Sequence, residues 1–266
     1  MAVQVISDLH LEGSPAYDAF EIVPRAPYLA LLGDIVTVTK YRTVCLAFLT
    51  RQLKQFRAVL FVPGDSDAHR SNWPDTIAFL RAFELGIRNN PALGEFVLLD
   101  RAVFRLPDTN VVILGCSLFS YIAPESRTAP GVYVKDFSAI DGWNIDAHNE
   151  AHRRDLGWLN AQVTLLEESD VRVMVLSHWS PSLDARAVDP RLAWGPFTSA
   201  FSTDLSGEAC FRSSKVKVWA FGHTHYNCDF TLEREGGAGK LRLLTNQRGY
   251  PLSPADGYDG EKTVEI

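Results

Sequence analysis

The chain has 266 residues, 46% of them hydrophobic and 22% charged, with a net charge of −6. That balance excludes a disordered segment and describes a folded protein with a large core. No Lys/Arg block stands out and no run of eighteen apolar residues occurs, so neither nucleic acid nor a membrane is an expected partner; a small-molecule substrate is.

The opening "MAVQVISDLHL" enters a strand-like run directly, with no charged n-region or long apolar h-region, which fits a cytosolic protein. Six short apolar runs rich in β-branched residues read as core strands: 2–7, 28–33, 58–63, 110–116, 171–177 and 216–222. Between them, 41–56, 75–88 and 147–166 carry apolar residues at helical spacing, the last with Leu156, Leu159, Val163 and Leu166 on one face. Two long stretches, 117–141 and 181–207, read as irregular, and long loops inside a compact domain are usually lids or binding walls. Cys45, Cys116, Cys210 and Cys228 are scattered, form no CxxC pair and read as small buried hydrophobes. No repeat or linker divides the chain, so one domain over residues 1–266 is expected.

The residues just after the strands carry the chemistry. The first strand leads into "SDLH", with Asp8 and His10; the second into "GDIV", with Asp34; the third into "GDSD", with Asp65 and Asp67. The fifth leads into "SHWSP", with His178, and the sixth into "GHTH", with His223 and His225. Any one of these alone reads more simply as a turn aspartate or a hydrogen-bonded structural histidine. Jointly they mean more, because parallel strands bring their C-terminal ends to one rim, and mixed carboxylate and imidazole sets suit Mn²⁺, Fe or Zn²⁺. A shared carboxylate can bridge two ions, and Asp34 is the natural bridge.

The order D-x-H, G-D, a G-N-H-[DE]-like loop, an isolated His and G-H-x-H resembles the calcineurin-like metallophosphoesterase superfamily over residues 8–225, with "GHTH" its most specific piece. The resemblance implies an α/β fold, a four-layer α-β-β-α sandwich, with a metal site of one or two divalent ions at the strand ends. It further implies that Asp8, His10, Asp34 and His225 hold one ion and that Asp34, Asp65, His178 and His223 hold the other. The tail "TNQRGYP" also resembles small members of the family.

One loop departs from the pattern. Where the family reads Gly-Asn-His-Asp/Glu, this chain reads Gly64-Asp65-Ser66-Asp67. Asp65 would replace a ligating Asn, lowering the formal charge of the site by one and weakening its hold on a phosphate dianion. Ser66 would occupy the position of the His that protonates the leaving group, a role worth about 10²- to 10⁴-fold. His69, three residues on, is expected at the surface of the following helical turn, and Asp67→Ala is expected to do little. His148 and His152 are expected to be hydrogen-bonded helix histidines, His148 within reach of a substrate from the helix start. Trp143, Trp179, Trp194, Phe197 and Phe201 give the loops an aromatic bias that suits an uncharged or bulky organic substrate, with Trp179 a candidate contact. Three readings stand on these residues: a phosphoesterase with altered leaving-group chemistry, an enzyme using its ions as Lewis acids for a non-phosphoester reaction on a hydrophobic metabolite, and a catalytically silent metal-binding protein.

Overall fold

The computed structural model describes residues 2–13, 20–191, 195–234 and 238–266. Its strands are β1 (Ala2–Ile6), β2 (Tyr28–Leu31), β3 (Ala58–Phe61), β4 (Glu95–Leu98), β5 (Ala102–Arg105), β6 (Val111–Cys116), β7 (Arg172–Ser177), β8 (Val216–Phe221), β9 (Asp229–Arg234), β10 (Gly239–Thr245), β11 (Gly249–Tyr250), β12 (Ser253–Pro254) and β13 (Thr263–Glu265). The helices are α1 (Arg42–Leu53), α2 (Asp65–Ala68), α3 (Trp73–Ile87), α4 (Thr128–Tyr133), α5 (Asp136–Ala139), α6 (Ile145–Leu166), α7 (Thr198–Phe201) and α8 (Ala209–Arg212).

Two sheets face each other, one ordered β13-β1-β2-β3-β4 and the other β5-β6-β7-β8-β10-β9. β1 to β4 are parallel to one another, as are β6, β7, β8 and β10, whereas β13, β5 and β9 run antiparallel at the edges. The period-2 alternation of a strand sorts the side chains into layers. Val3, Val5, Ala30, Leu32 and Leu60 of the first sheet meet Ile113, Met174, Leu176, Ala220 and Leu244 of the second. The opposite faces are covered by helices: Phe48, Leu49 and Leu53 of α1 and Leu80 of α3 pack on the first sheet. Leu159, Val163 and Leu166 of α6, with Cys210 and Phe211 of α8, pack on the second. The result is a four-layer α-β-β-α sandwich.

All six strands expected from sequence are present, but the edge strands and β10 are not among those six. β9 alternates exposed and half-buried residues, a weaker pattern than an all-buried run. Helix α3 begins two residues earlier than expected, because the Asn72 side chain caps the Asp75 amide and Pro74 occupies the first turn. The stretch 117–141 holds two short helices, α4 and α5, whose few residues carry too little periodicity to read from sequence. None of the helices, among the described residues, is long and apolar enough to cross a membrane.

The layer between the sheets sets stability. Leu176 is fully buried there, and Leu176→Ala is expected to cost about 2–5 kcal/mol, measured as a loss in urea unfolding free energy with an unchanged slope.

Candidate metal centre

The C-terminal ends of β1, β2, β3, β7 and β8 lead into Asp8 and His10, Asp34, Asp65, His178, and His223 and His225, and the fold brings all seven residues together. On one side, His225 Nε2 lies 3.3 Å from Asp8 Oδ1 and 3.1 Å from His10 Nε2, which is 3.6 Å from Asp34 Oδ2. On the other, His178 Nε2 lies 3.5 Å from Asp34 Oδ1 and 3.1 Å from Asp65 Oδ1, and His223 Nδ1 is 2.9 Å from the same Asp65 oxygen. The sets Asp8/His10/His225 and Asp65/His178/His223 each present three donor atoms within 4.8 Å of one another. Asp34 stands between them.

The backbone at this rim is unusual. Asp8, His10, Asp34, His223 and His225 have φ of 54°, 45°, 56°, 68° and 49°, in the left-handed region that non-glycine residues seldom enter and that clusters at functional sites. Two glycines make room. A Cβ on Gly33, itself at φ 86°, would strike the His178 ring and come within 2.7 Å of the Gly64 nitrogen. One on Gly64 would strike the Asp34 carboxylate and lie 2.6 Å from the Asp34 nitrogen. The G-D pairs after β2 and β3 therefore let two carboxylates approach one imidazole.

Orientation of the imidazoles is set by their other nitrogens. His178 Nδ1 donates to the Leu32 carbonyl at 2.6 Å and His10 Nδ1 to Glu12 at 3.2 Å, so each turns Nε2 toward the cluster, where it offers a lone pair to a metal once its proton is displaced. Trp179 lies 4.6 Å from the His223 ring and 5.0 Å from that of His178, and Phe201 stacks on His223 at 4.8 Å.

Residues beyond the sequence-based set hold these in place. Asp67 is buried, and its carboxylate accepts four backbone amides: Asp34 at 3.1 Å and Gly64 at 2.8 Å on Oδ2, Ile35 at 3.0 Å and Val36 at 3.3 Å on Oδ1. The expectation that Asp67→Ala does little is therefore corrected: this side chain ties the β2 and β3 loops together. The tail acts on the other flank. The Gln247 side chain accepts the His225 amide at 2.6 Å, the Gly249 amide donates to the Asp8 carbonyl at 2.9 Å, and the Tyr250 ring stacks on His10 at 4.2 Å.

Burial resolves the expectations for five further residues. Ser66 is buried and its amide donates to Asp34 Oδ1 at 2.9 Å, which places its hydroxyl-bearing carbon beside the cluster. His148 and Trp179 are both buried, behind the cluster rather than on a surface that a substrate reaches: His148 Nε2 pairs with Ser120, and the Trp179 indole donates to the Ala200 carbonyl. His152 is a hydrogen-bonded helix histidine, its Nδ1 on the Leu118 carbonyl. His69 is not at the surface; the chain turns it inward, where Nε2 lies 3.0 Å from Asp136 Oδ1. Trp194 lies outside the described residues.

The electrostatics suit cations. The ion pairs of Asp8, Asp34 and Asp65, among the described residues, are all with histidines rather than Lys or Arg. Burial opposes ionisation of Asp8, yet the hydrogen bond and charge of His225, with His178 and His10, hold it down near about 2. Burial and the charge of Asp65 push Asp34 up. Burial alone would lower the two oriented histidines, but Glu12, Asp34 and Asp8 push His10 up to about 9, and Asp34, Asp65 and Asp8 push His178 up to about 10. Without an ion, then, protonated imidazoles stand as the counter-charges. Three carboxylates and four imidazoles, two of which have their outer nitrogens engaged, fit divalent ions of the Mn²⁺, Fe or Zn²⁺ kind.

A family model described as calcineurin-like phosphoesterase matches residues 1–227. The chain belongs to that family and is a metal-dependent, phosphoesterase-like enzyme. Among solved structures it is similar to a phosphopantetheinyl hydrolase from Mycobacterium tuberculosis, with TM-score 0.66 and 16% identity over 94% of this chain and 90% of that one. It is also similar to a dimetal phosphatase from Danio rerio, with TM-score 0.53 and 15% identity over 97% and 90%. At these identities the likeness concerns the fold. No curated protein matched the sequence.

Asp67→Ala removes the acceptor of four buried amides and is expected to cost about 3 kcal/mol or more; a loss below about 0.5 kcal/mol in urea titrations would show that the loops hold without it. The histidines give a second expectation. A ligating imidazole must be unprotonated, so loading Mn²⁺ at pH 7 is expected to expel about two protons, from His10 and His178, with affinity rising as pH rises toward 9. Calorimetry in buffers of different ionisation enthalpy reads this directly, and a buffer-independent heat would contradict it.

Proposed function

We propose that the chain acts as a single unit over residues 1–266 that hydrolyses a small phosphoester. In this reading Asp8, His10, Asp34 and His225 hold one divalent ion, and Asp34, Asp65, His178 and His223 hold a second, Mn²⁺, Fe or Zn²⁺. The observation that carries it is the place of Asp34, one oxygen 3.6 Å from His10 and the other 3.5 Å from His178, between two donor sets that arrive from both sheets. Bound divalent ions supply Lewis acidity toward a phosphoryl oxygen and lower the pKa of water.

The chain's own residues do the rest. Asp67 and the Gly33 and Gly64 turns fix Asp34 and Asp65, so the donors are preorganised rather than gathered on binding. Phe201, stacked on His223, leads into Ser202, which lines a groove of about 590 Å³ with Tyr121, Thr128, Pro196 and Thr203 between the two long loops. Such a groove has room for an organic group on the ester, and its walls are mostly apolar, with Glu125 and Asp204 and, among the described residues, no Lys or Arg. Ser66, where the family carries its acid, has a hydroxyl that does not release a proton near neutral pH.

The expected consequence is a split between leaving groups. A nitrophenolate departs unprotonated, whereas an alkoxide needs a proton, so aryl esters should be cleaved at least about 10²-fold better than matched alkyl esters. Ser66→His should raise kcat/KM for the alkyl ester selectively. Equal inertness of wild type and Ser66→His toward both esters, with metal still bound, would assign the ions to a non-phosphoester reaction instead.

A further inference from the structure

Asp65 departs from the family's Asn, and the structure gives that change a geometric consequence. The two oxygens of Asp65 face different ways: Oδ1 meets His178 and His223, while Oδ2 lies 4.0 Å from His69 Nε2. His69 Nε2 is in turn 3.0 Å from Asp136 Oδ1. The donor atoms of Asp65, His69 and Asp136 fall within 4.8 Å of one another, and all three residues are buried.

We propose that Asp65, His69 and Asp136 form a third divalent-cation subsite, bridged through the Asp65 carboxylate to the pair of ions proposed under the phosphoesterase reading, on which this inference rests. With metal–ligand bonds of about 2.1 Å, two donors on one ion sit about 3 Å apart at right angles and about 4.2 Å apart when opposite. The separations of 3.0 and 4.0 Å from His69 Nε2 fall at those two values.

Three features support a built site. The segment carrying Asp136 is laced to the residues after His69: the Arg70 amide donates to the Ala139 carbonyl and the Asp141 amide to the Ser71 carbonyl, both at 2.7 Å. Ala68, Trp73 and Ile140 pack the same junction into an apolar cluster with Phe119 and Trp179. Two buried carboxylates here share one imidazole, and among the described residues neither is paired with a Lys or Arg.

The family's Asn could not build this subsite, since it offers one oxygen and a non-ligating amide nitrogen. The third cation also returns to the cluster the positive charge that Asp65 removes. His69 Nε2 faces both carboxylates, so in an ion-free cluster a proton there would be held inward, between Asp136 and Asp65.

The test is the ion count in Mn²⁺-loaded protein, by elemental analysis and by anomalous scattering from crystals. Wild type should hold three ions per chain, one among Asp65, His69 and Asp136. Asp65→Asn keeps an oxygen for His178 and His223 but loses the second, and should hold two; Asp136→Asn should also hold two. Two ions in wild type with no further loss in Asp65→Asn would overturn the third subsite and leave the dinuclear reading standing. Three ions in Asp136→Asn would overturn the ligand assignment, and no ions in wild type would overturn both readings.

Discussion

The arrangement of the candidate metal centre depends on the Asp67 carboxylate. It is a buried side chain that does not face the cluster, yet it accepts amides from both loops that deliver Asp34 and Asp65. An isolated carboxylate in such surroundings is costly, and burial followed by the charge of Asp34 pushes its pKa up to about 7. Four amide donors offset that cost. They also fix the relative position of two turns that no regular secondary structure connects, so the distance between the carboxylates of Asp34 and Asp65 is set before any ion arrives.

A second constraint works against the chain's local preferences. Left-handed backbone costs on the order of 1–3 kcal/mol per non-glycine residue, and five candidate ligands adopt it. The strain persists because the loops are also bonded to one another: the Asp8 amide to Gly33, the His10 amide to Asp34, the Gly222 amide to His178, the Ser7 amide to Asn246. Each bond crosses between segments far apart in sequence. The rim therefore forms only when both sheets are in place.

That non-local character explains what could be read in advance. The core strands were legible because buried parallel strands write themselves as apolar runs, and the seven donors were legible because each comes just after such a run. His69 was not: from sequence it lies on a polar turn, and only the pairing of residues 70–71 with 139–141 turns it inward. Asp136 fell in a stretch without periodicity, inside a four-residue helix. The roles of Gln247 and Tyr250 depend on the tail returning across β1, a contact between chain ends that no local pattern announces. Asp67 was visible as a letter, but its neighbours' amides were not.

The aromatic side chains have a different place from the one their composition suggested. Trp179 and Phe119 pack tilted against each other behind the histidines, 4.7 Å apart, and Trp73 and Trp143 extend the same layer. They wall the cluster on its inner side, which lowers the local dielectric and strengthens every charge interaction there. In that setting Asp8, Asp34, Asp65 and Asp136 cannot all be anionic with histidines alone as partners unless those histidines carry protons. Protons and divalent cations thus compete for the same neutralising role, and cation occupancy is coupled to the protonation of the imidazoles. Asp65 adds a carboxylate where the family pattern has a neutral amide, so it moves this balance toward a greater demand for positive charge.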